Sequence, residues 1–290
     1  MAAGRRKRSG DCLKVSADWQ HIFQIELRIN EEAMLRSAKK LIGYKIDATD
    51  GKMGNVVDLT VDPNSWRIRH VIADTGNWLP GRRVLLSTEA MDSPDWSTGR
   101  FPVHLDKDQV REAPGLDADI SDITSPARLE ALHAHFGWSN FWPAGPVVNP
   151  AVYERELVDA EAGKPHEPES GQARAAYTLN EISGYGIAAS DGEIGSVKDL
   201  IMDDEDWRAR YLVVDTGKWL PGKKVLLSTD WIQACDWAES EMTVDLSRDS
   251  IKDCPEFDPS SPVSREVEER LYDFHGRPKY WRRKESAVMD

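Results

Sequence analysis

The sequence predicts a mainly β protein made of two tandem small antiparallel β-barrels, each followed by a short C-terminal α-helix. The first observation is a repeat: residues 41–89 return as 182–230 without a gap, with identity at about half of the positions. The second is that each copy consists of short strand-like runs joined by tight turns, with no helix between them. The third is a helix signal at the end of each copy. The chain is therefore an internal duplication.

The first copy contains five short runs with strand character, at residues 43–48, 55–62, 67–74, 83–87 and 101–105. Asp50-Gly51 separates the first two runs and predicts a hairpin, because glycine tolerates the positive φ that the turn requires. Pro63-Asn64-Ser65 predicts a polar turn, since proline cannot continue a strand ladder. Five short strands in this order favour a small antiparallel barrel.

A helix is predicted to close each copy. Ser125-Pro126 places a capping residue before a proline at the first helical position, and Gly137 ends the run. The second copy repeats the plan from Ser261-Pro262 to Gly276. We expect both helices to pack an apolar stripe on their barrels; the stripe residues are Leu129, Leu132, Phe136, Val263, Val267, Leu271 and Phe274.

These patterns divide the chain into five parts: an extension over 1–33 that we predict to be disordered, a first repeat over 34–142, a linker over 143–175, a second repeat over 176–281 and a tail over 282–290. The linker is rich in Pro, Ala, Gly and Glu. Because residues 1–33 match nothing in the second half, we hypothesise that Met34 is the biological start.

Composition narrows the classes of function. The formal net charge of -13 opposes non-specific attraction to nucleic-acid phosphates. The three cysteines form no Cys-x-x-Cys pair, so the sequence indicates neither a zinc site nor a disulfide framework. Apolar runs fall short of the roughly 18 residues expected of a membrane span. We predict a cytoplasmic protein with no membrane span, no metal and no cofactor.

Several motifs recur in both copies in the same order. They are Gly-Tyr, Asp-Gly, Gly-x-Val-x-Asp-Leu, Trp-Arg, Asp-Thr-Gly-x-Trp-Leu-Pro-Gly and Val-Leu-Leu-Ser. In this order they resemble the PRC-barrel family over residues 41–115 and 182–256. The resemblance implies two compact β-barrels used for docking to other macromolecules.

The better-known members of this family are the cytoplasmic part of a photosynthetic reaction-centre subunit and the C-terminal domain of a ribosome maturation factor. This chain departs from both, because it shows neither the membrane helix of the former nor the separate N-terminal barrel domain of the latter. The tandem arrangement is similar to stand-alone, mostly uncharacterised members.

The Trp-Leu-Pro-Gly motif provides the first set of candidate interaction residues. An aromatic side chain followed by two cations is typical of interface hot spots. The alternative is that each indole caps its own barrel and fixes the loop. The residues concerned are Trp78, Leu79, Arg82 and Arg83 in the first copy and Trp219, Leu220, Lys223 and Lys224 in the second.

The Trp-Arg-x-Arg motif provides the second set: Trp66, Arg67, Arg69, Trp207, Arg208 and Arg210. Arginines two apart on a strand share one face and could form an anion-binding strip. The alternative is that they pair with acidic neighbours, for which we expect Asp58 and Asp74 or Asp199 and Asp215.

Two further groups of residues point away from metal binding. Asp203-Asp204-Glu205-Asp206 lacks the alternating ligand spacing of a calcium loop, so we interpret it as a solvated turn. His133 and His135 are two apart on a predicted helix and face different directions.

Three classes of function follow. The leading hypothesis is a non-catalytic docking protein that binds a protein partner or forms a homodimer. The second is a ribosome- or RNA-associated maturation or stress factor, in which nucleic acid is reached only through a ribosome. The third is an enzyme or small-ligand binder with its site between the two barrels.

Overall fold

The computed structural model describes residues 35–114, 125–142, 174–217 and 219–281. The predicted extension over 1–33, the proposed start at Met34, all of the linker except its last two residues, and the tail lie outside this part of the chain. The described residues separate into two compact units, one over Arg36–Ser261 and a smaller one that contains Leu35 and residues 262–281.

The described residues are mainly β, as predicted. The strands are β1 (Arg36–Ser37), β2 (Lys45–Ala48), β3 (Gly51–Val61), β4 (Ile68–Asp74), β5 (Arg83–Ser87), β6 (Arg100–Pro102), β7 (Tyr177–Thr178), β8 (Gly186–Ala189), β9 (Gly192–Asp203), β10 (Arg208–Asp215), β11 (Lys224–Ser228), β12 (Ile232–Asp236) and β13 (Glu241–Val244). The α-helices are α1 (Lys107–Glu112), α2 (Pro126–Phe136), α3 (Leu179–Ile182), α4 (Arg248–Asp253) and α5 (Arg265–Phe274). Short 3₁₀ helices span Ala38–Leu41, Thr88–Ala90 and Thr229–Trp231.

The larger unit contains two sheets of the same plan. The first sheet has the strand order β5-β4-β3-β2-β6, and the second has the order β11-β10-β9-β8-β13-β12. The long central strands β3 and β9 pair antiparallel with both neighbours. Many of their apolar residues are buried, for example Met53, Val56 and Leu59 in β3, whose spacing of three residues accompanies register shifts of this strand against β2 and β4. Each sheet therefore has its own apolar core.

Both sheets are mixed, which corrects the all-antiparallel prediction. β6 runs parallel to β2, with Ile46 opposite Phe101, and β13 runs parallel to β8. Five strands that alternate in direction leave the first and the fifth pointing the same way. When the fifth strand returns beside the first, the two must therefore pair in parallel.

The predicted barrels are not closed by strand pairing in the described residues. The path of paired strands in the first sheet runs from β5 to β6 without a ladder between these two ends. After β5 the chain turns through the 3₁₀ helix Thr88–Ala90, and isolated bridges follow between Met91 and Val103 and between Asp95 and Arg100. A turn and isolated bridges therefore take the place of a ladder that would close the barrel.

The two halves of the larger unit exchange short strands. β1, which precedes the first sheet, pairs with β9 of the second sheet, and Arg36 lies opposite Met202. β7, which precedes the second sheet, pairs with β3 of the first sheet, and Tyr177 lies opposite Val61. Each half thus supplies a short strand that pairs with the long central strand of the other half's sheet.

The helix predicted after the first sheet is confirmed. Ser125 accepts a hydrogen bond from the Arg128 amide, Pro126 begins the helix, and Gly137 ends it in the left-handed conformation at φ 72°. Leu129, Leu132 and His133 are buried on its inner face, and His133 contacts His70 of β4. The apolar stripe of α2 therefore packs on the first sheet, as expected.

The second closing helix begins later than predicted. Ser264 is the residue before α5, and Val263 lies in extended backbone that exchanges two hydrogen bonds of 3.0 Å with Leu35. This pairing prevents a helix from starting at Pro262. The packing predicted for α5 on a barrel stays a prediction.

Two six-residue helices, α1 and α4, were not predicted. Asp106 and Gln109 form a reciprocal capping box at the start of α1, and Ser247 caps α4. In the part of the chain that the structure describes, every helix is too short or too polar to cross a membrane.

Candidate interaction surface

The two Trp-Leu-Pro-Gly loops are fixed by buried threonines. The Thr75 hydroxyl reaches both the Leu79 and the Arg82 carbonyl oxygens, at 2.7 and 2.8 Å. Thr216 reaches the Leu220 and Lys223 carbonyl oxygens at 2.7 and 2.9 Å. One hydroxyl therefore ties together the beginning and the end of each turn, and the two loops have the same shape.

The first cation of each loop braces it from behind. Arg82 donates to the carbonyl oxygens of Arg111 and Ala113, at 3.2 and 2.9 Å, at the end of α1. Lys223 donates in the same way to Lys252 and Cys254, at 2.5 and 2.6 Å, at the end of α4. Cations are favourable at the C-terminus of a helix, where carbonyl oxygens lack intrahelical partners.

The loop tryptophans are half-buried, and each contacts residues of its own half of the larger unit. The Trp78 indole N–H donates to the Met53 carbonyl oxygen, and the Arg111 guanidinium lies 5.7 Å from the ring centroid. Trp219 has a similar neighbour in Arg248, at 4.8 Å. These contacts agree with the interpretation in which each indole fixes its loop.

The exposed side of each loop is formed by residues other than those that brace the loop. Leu79 and Leu220 are partly exposed, and the two loop prolines and Arg83 are exposed. Lys224, the counterpart of Arg83, is partly exposed. The structure thus divides the predicted set into residues that brace the loop and residues that face away from the brace.

The effect of the brace is testable at Arg82. We expect Arg82→Ala to cost about 1 kcal/mol and to loosen α1, because the carbonyl oxygens at the helix end lose a charged donor. Hydrogen exchange of residues 107–113 should accelerate. Arg83→Ala removes the neighbouring exposed cation and should leave this exchange unchanged; equal effects of both variants would contradict the role of Arg82.

Trp66 and Trp207 lie where the two halves of the larger unit meet. Both have positive φ, 57° and 56°, which is strained for a bulky residue. Their carbonyl oxygens accept reciprocal bonds of 2.7 Å from Ala209 and Ile68 across the junction. The rings also cross it: Trp207 stacks on Phe101 at 5.5 Å, and Trp66 approaches Trp237 at 6.2 Å.

The arginines of the same motif pair with turn carboxylates. Arg69 bonds Asp62 at 3.1 Å. Arg210 bonds Asp203 and Asp206 at 2.8 and 2.5 Å. The pairing predicted for these motifs is present, but its expected partners are wrong, because the turn between the strands brings other carboxylates closer.

The remaining two arginines of this motif also have acceptors. Arg67 donates to the Asp206 carbonyl oxygen at 2.8 Å, across the junction, and Arg208 bonds Asp230 at 2.9 Å. Asp204 accepts a hydrogen bond from the Trp96 indole N–H at 2.5 Å. Asp203, Asp204 and Asp206 of the acidic turn therefore all bind other residues of the protein. The described residues contain no cluster of three or more metal-ligating side chains.

The motif aspartates Asp58 and Asp199 have a role that the sequence did not reveal. Asp199 accepts from the Ser37 hydroxyl at 2.5 Å and from the Lys39 amide at 3.1 Å, both in the segment exchanged from the other half. Asp58 accepts from the Asn180 amide at 3.3 Å in the reciprocal position. Burial raises the pKa of both carboxyl groups.

Together these features define a mainly β protein whose two sheets exchange strands and whose paired loops are braced from behind. Residues 175–251 match the model of the PRC-barrel domain, from just before β7 to within α4. The family is a docking type of fold and is in general non-catalytic.

One curated relative adds a second comparison. An uncharacterized protein of Deinococcus radiodurans is 34% identical over 100 residues, which cover 32% of this chain and 35% of the relative. The aligned part is thus about a third of the length of either protein.

Proposed function

We propose that this chain is a non-catalytic docking protein in which residues 34–142 form a second PRC-barrel beside the matched one. In this proposal the outward sides of the two Trp-Leu-Pro-Gly loops contact one protein partner. The residues that make this contact are Leu79, Arg83, Leu220 and Lys224, with the loop tryptophans at its edge.

The observation that carries the proposal is the bracing of both loops. In each loop a threonine hydroxyl bonds to carbonyl oxygens of the loop, and a cation of the loop bonds to carbonyl oxygens at the end of a helix. The donor–acceptor distances are 2.5–3.2 Å. A loop that is already ordered loses less conformational freedom on binding, so more of the contact energy appears as affinity. The same device occurs twice, so both loops have this advantage.

The other candidate residues are left out of the proposed interface because they already contact other parts of the protein. Trp66, Trp207 and Arg67 make contacts between the two halves of the larger unit. Arg69, Arg208 and Arg210 are paired with carboxylates. A partner that used them would first have to break these contacts.

The test is capture of partners from the native host by full-length protein. We expect Leu79→Ser/Leu220→Ser to reduce partner recovery at least about tenfold, because the contact would lose the burial of two leucine side chains, each of which contributes about 1.5–3 kcal/mol when fully buried. The readout is quantitative mass spectrometry of the captured proteins. Trp78 and Trp219 are unsuitable first variants, since Trp78 also bonds to Met53 and Trp219 also contacts Arg248 of α4.

Ile42→Ser is the matched control, because Ile42 is an exposed aliphatic side chain outside both loops, at 38% exposure. Recovery that is lost equally in the control and in the double variant would contradict the proposal. Capture of ribosomal particles that nuclease treatment removes would favour the ribosome-associated role instead. Capture only of further copies of this chain would favour self-association.

A further inference from the structure

His70 and His133 face each other between the first sheet and helix α2. Their Nε2 atoms are 2.8 Å apart, and the rings meet edge to face with centroids at 5.1 Å. The exposed fractions of the two residues are 0% and 2%. The sequence placed His133 on a predicted helix but gave no sign of its pairing with His70, which lies 63 positions away in the chain.

The outer nitrogens fix the tautomers of both rings. His133 Nδ1 lies 2.9 Å from the Ser139 carbonyl oxygen, which can only accept, so this nitrogen carries a proton. A neutral His133 then has a bare Nε2 and must accept from the His70 Nε2–H. That leaves His70 Nδ1 bare, and the Thr60 hydroxyl at 2.9 Å donates to it. The hydrogen bonds therefore form one chain, in which Thr60 donates to His70, His70 to His133 and His133 to the Ser139 carbonyl oxygen.

A second proton does not fit this chain, because it would oppose N–H to N–H between His70 and His133. A first proton would have to lie on His70 Nδ1, with the Thr60 hydroxyl turned to accept from it, and it would place an imidazolium cation where both rings are buried. Burial accordingly lowers the pKa of both histidines, and Arg69 lowers both further. On His133 the Ser139 carbonyl and Glu89 act in the opposite direction without reversing the shift.

The charged groups around the pair are themselves held in place. Arg69 is paired with Asp62 at 3.1 Å and lies 4.7 Å from the Phe141 ring centroid. Glu89 accepts from the Ser139 amide at 3.2 Å. Asp62 and Glu89 are thus engaged by other groups, and Glu89 offsets the effect of burial on His133 only in part.

We propose that the histidine pair His70–His133 is an acid-sensitive switch that holds α2 and residues 137–142 on the first sheet and releases them below about pH 6.5. The open form can take up protons that the closed form excludes. The pair therefore stabilises the closed form above the ordinary titration range of histidine, and this contribution is lost as the pH falls through it.

The switch is confined to one half of the protein. The position of His70 in β4, opposite Ser87, corresponds to Tyr211 in β10, opposite Ser228. Tyrosine does not titrate near neutral pH. Acidification would therefore release α2 and leave β10 and its neighbours in place.

Two measurements on the full-length chain test the proposal. Nitrogen-detected NMR of labelled histidine at pH 7.5 should show His70 protonated at Nε2 and His133 at Nδ1. Hydrogen-exchange protection of residues 126–142, corrected for intrinsic rates, should fall about fivefold for each histidine between pH 6.5 and 5.5. Residues 208–215 should keep their protection over the same range.

His135→Gln is the control, since His135 is exposed on the same helix and its variant should retain the full pH dependence. His70→Gln/His133→Gln should remove it. Unchanged protection of wild-type residues 126–142 at pH 5.5 would overturn the proposal, as would the opposite tautomers. A shift of both Nε2 resonances by one equivalent of Zn²⁺ at pH 7.5 would also overturn it, because the pair would then be a metal site.

Discussion

Gly54→Ala is expected to lower the free energy of unfolding of the larger unit by about 3 kcal/mol. A Cβ atom at this position would lie 2.0 Å from the Asp74 carbonyl oxygen and 2.9 Å from its carbonyl carbon. Both are backbone atoms of the neighbouring strand, so no rotamer change relieves the clash. The central ladder between β3 and β4 must shift instead.

The measurement is thermal unfolding followed by the near-ultraviolet signal of the tryptophans, with an expected drop in Tm of about 9 °C. Gly195→Ala should behave alike, because its Cβ would lie 2.0 Å from the Asp215 carbonyl oxygen. Gly184→Ala is the control: its nearest heavy atom would be 3.9 Å away, and its φ is not in the left-handed region. Equal Tm values for Gly54→Ala and Gly184→Ala would contradict the prediction.

The parts of the fold that local rules govern were predictable from the sequence. The Asp50-Gly51 turn, the strand positions and helix α2 with its Ser125 cap follow from residues adjacent in the chain. The repetition of Gly54 as Gly195 also marked a constraint, and the structure supplies its cause in the close approach of a neighbouring strand.

The strand exchange was not predictable in the same way. β1 and β7 are two residues long, which gives no periodicity to detect, and their partners lie far along the chain. The parallel pairing in each sheet depends on the fifth strand returning beside the first. This return is a feature of the tertiary structure, which the count of five strands alone does not reveal. Local patterns fix elements, whereas these pairings depend on the packing of the whole unit.

The candidate site shows the same division. The recurrence of Trp-Leu-Pro-Gly identified the loops, but the attachment of Arg82 and Lys223 to helix ends required α1 and α4 to be known. The arginine partners were chosen as strand carboxylates, whereas the turns supply Asp62 and Asp203. Asp58 and Asp199 were thereby assigned to the wrong contact.

Asp199→Ala should destabilise the larger unit by about 3 kcal/mol and release the exchanged segment 36–41. The carboxylate accepts from the Ser37 hydroxyl and from the amides of Lys39 and Leu200, the last at 2.7 Å. Removal of one acceptor would leave several donors without a partner, and each buried donor costs about 1–3 kcal/mol. Hydrogen exchange of residues 36–41 should accelerate together with the loss of stability.

Glu193→Ala is the control, because Glu193 is exposed on the same strand β9. Asp199→Asn keeps one acceptor oxygen and should give an intermediate loss, which separates the hydrogen bonds from the charge. If Asp199→Ala resembled Glu193→Ala, β1 alone would hold the exchanged segment. An intermediate Asn variant with faster exchange at 36–41 would instead show that the motif aspartate joins the two halves, which explains its recurrence in both copies.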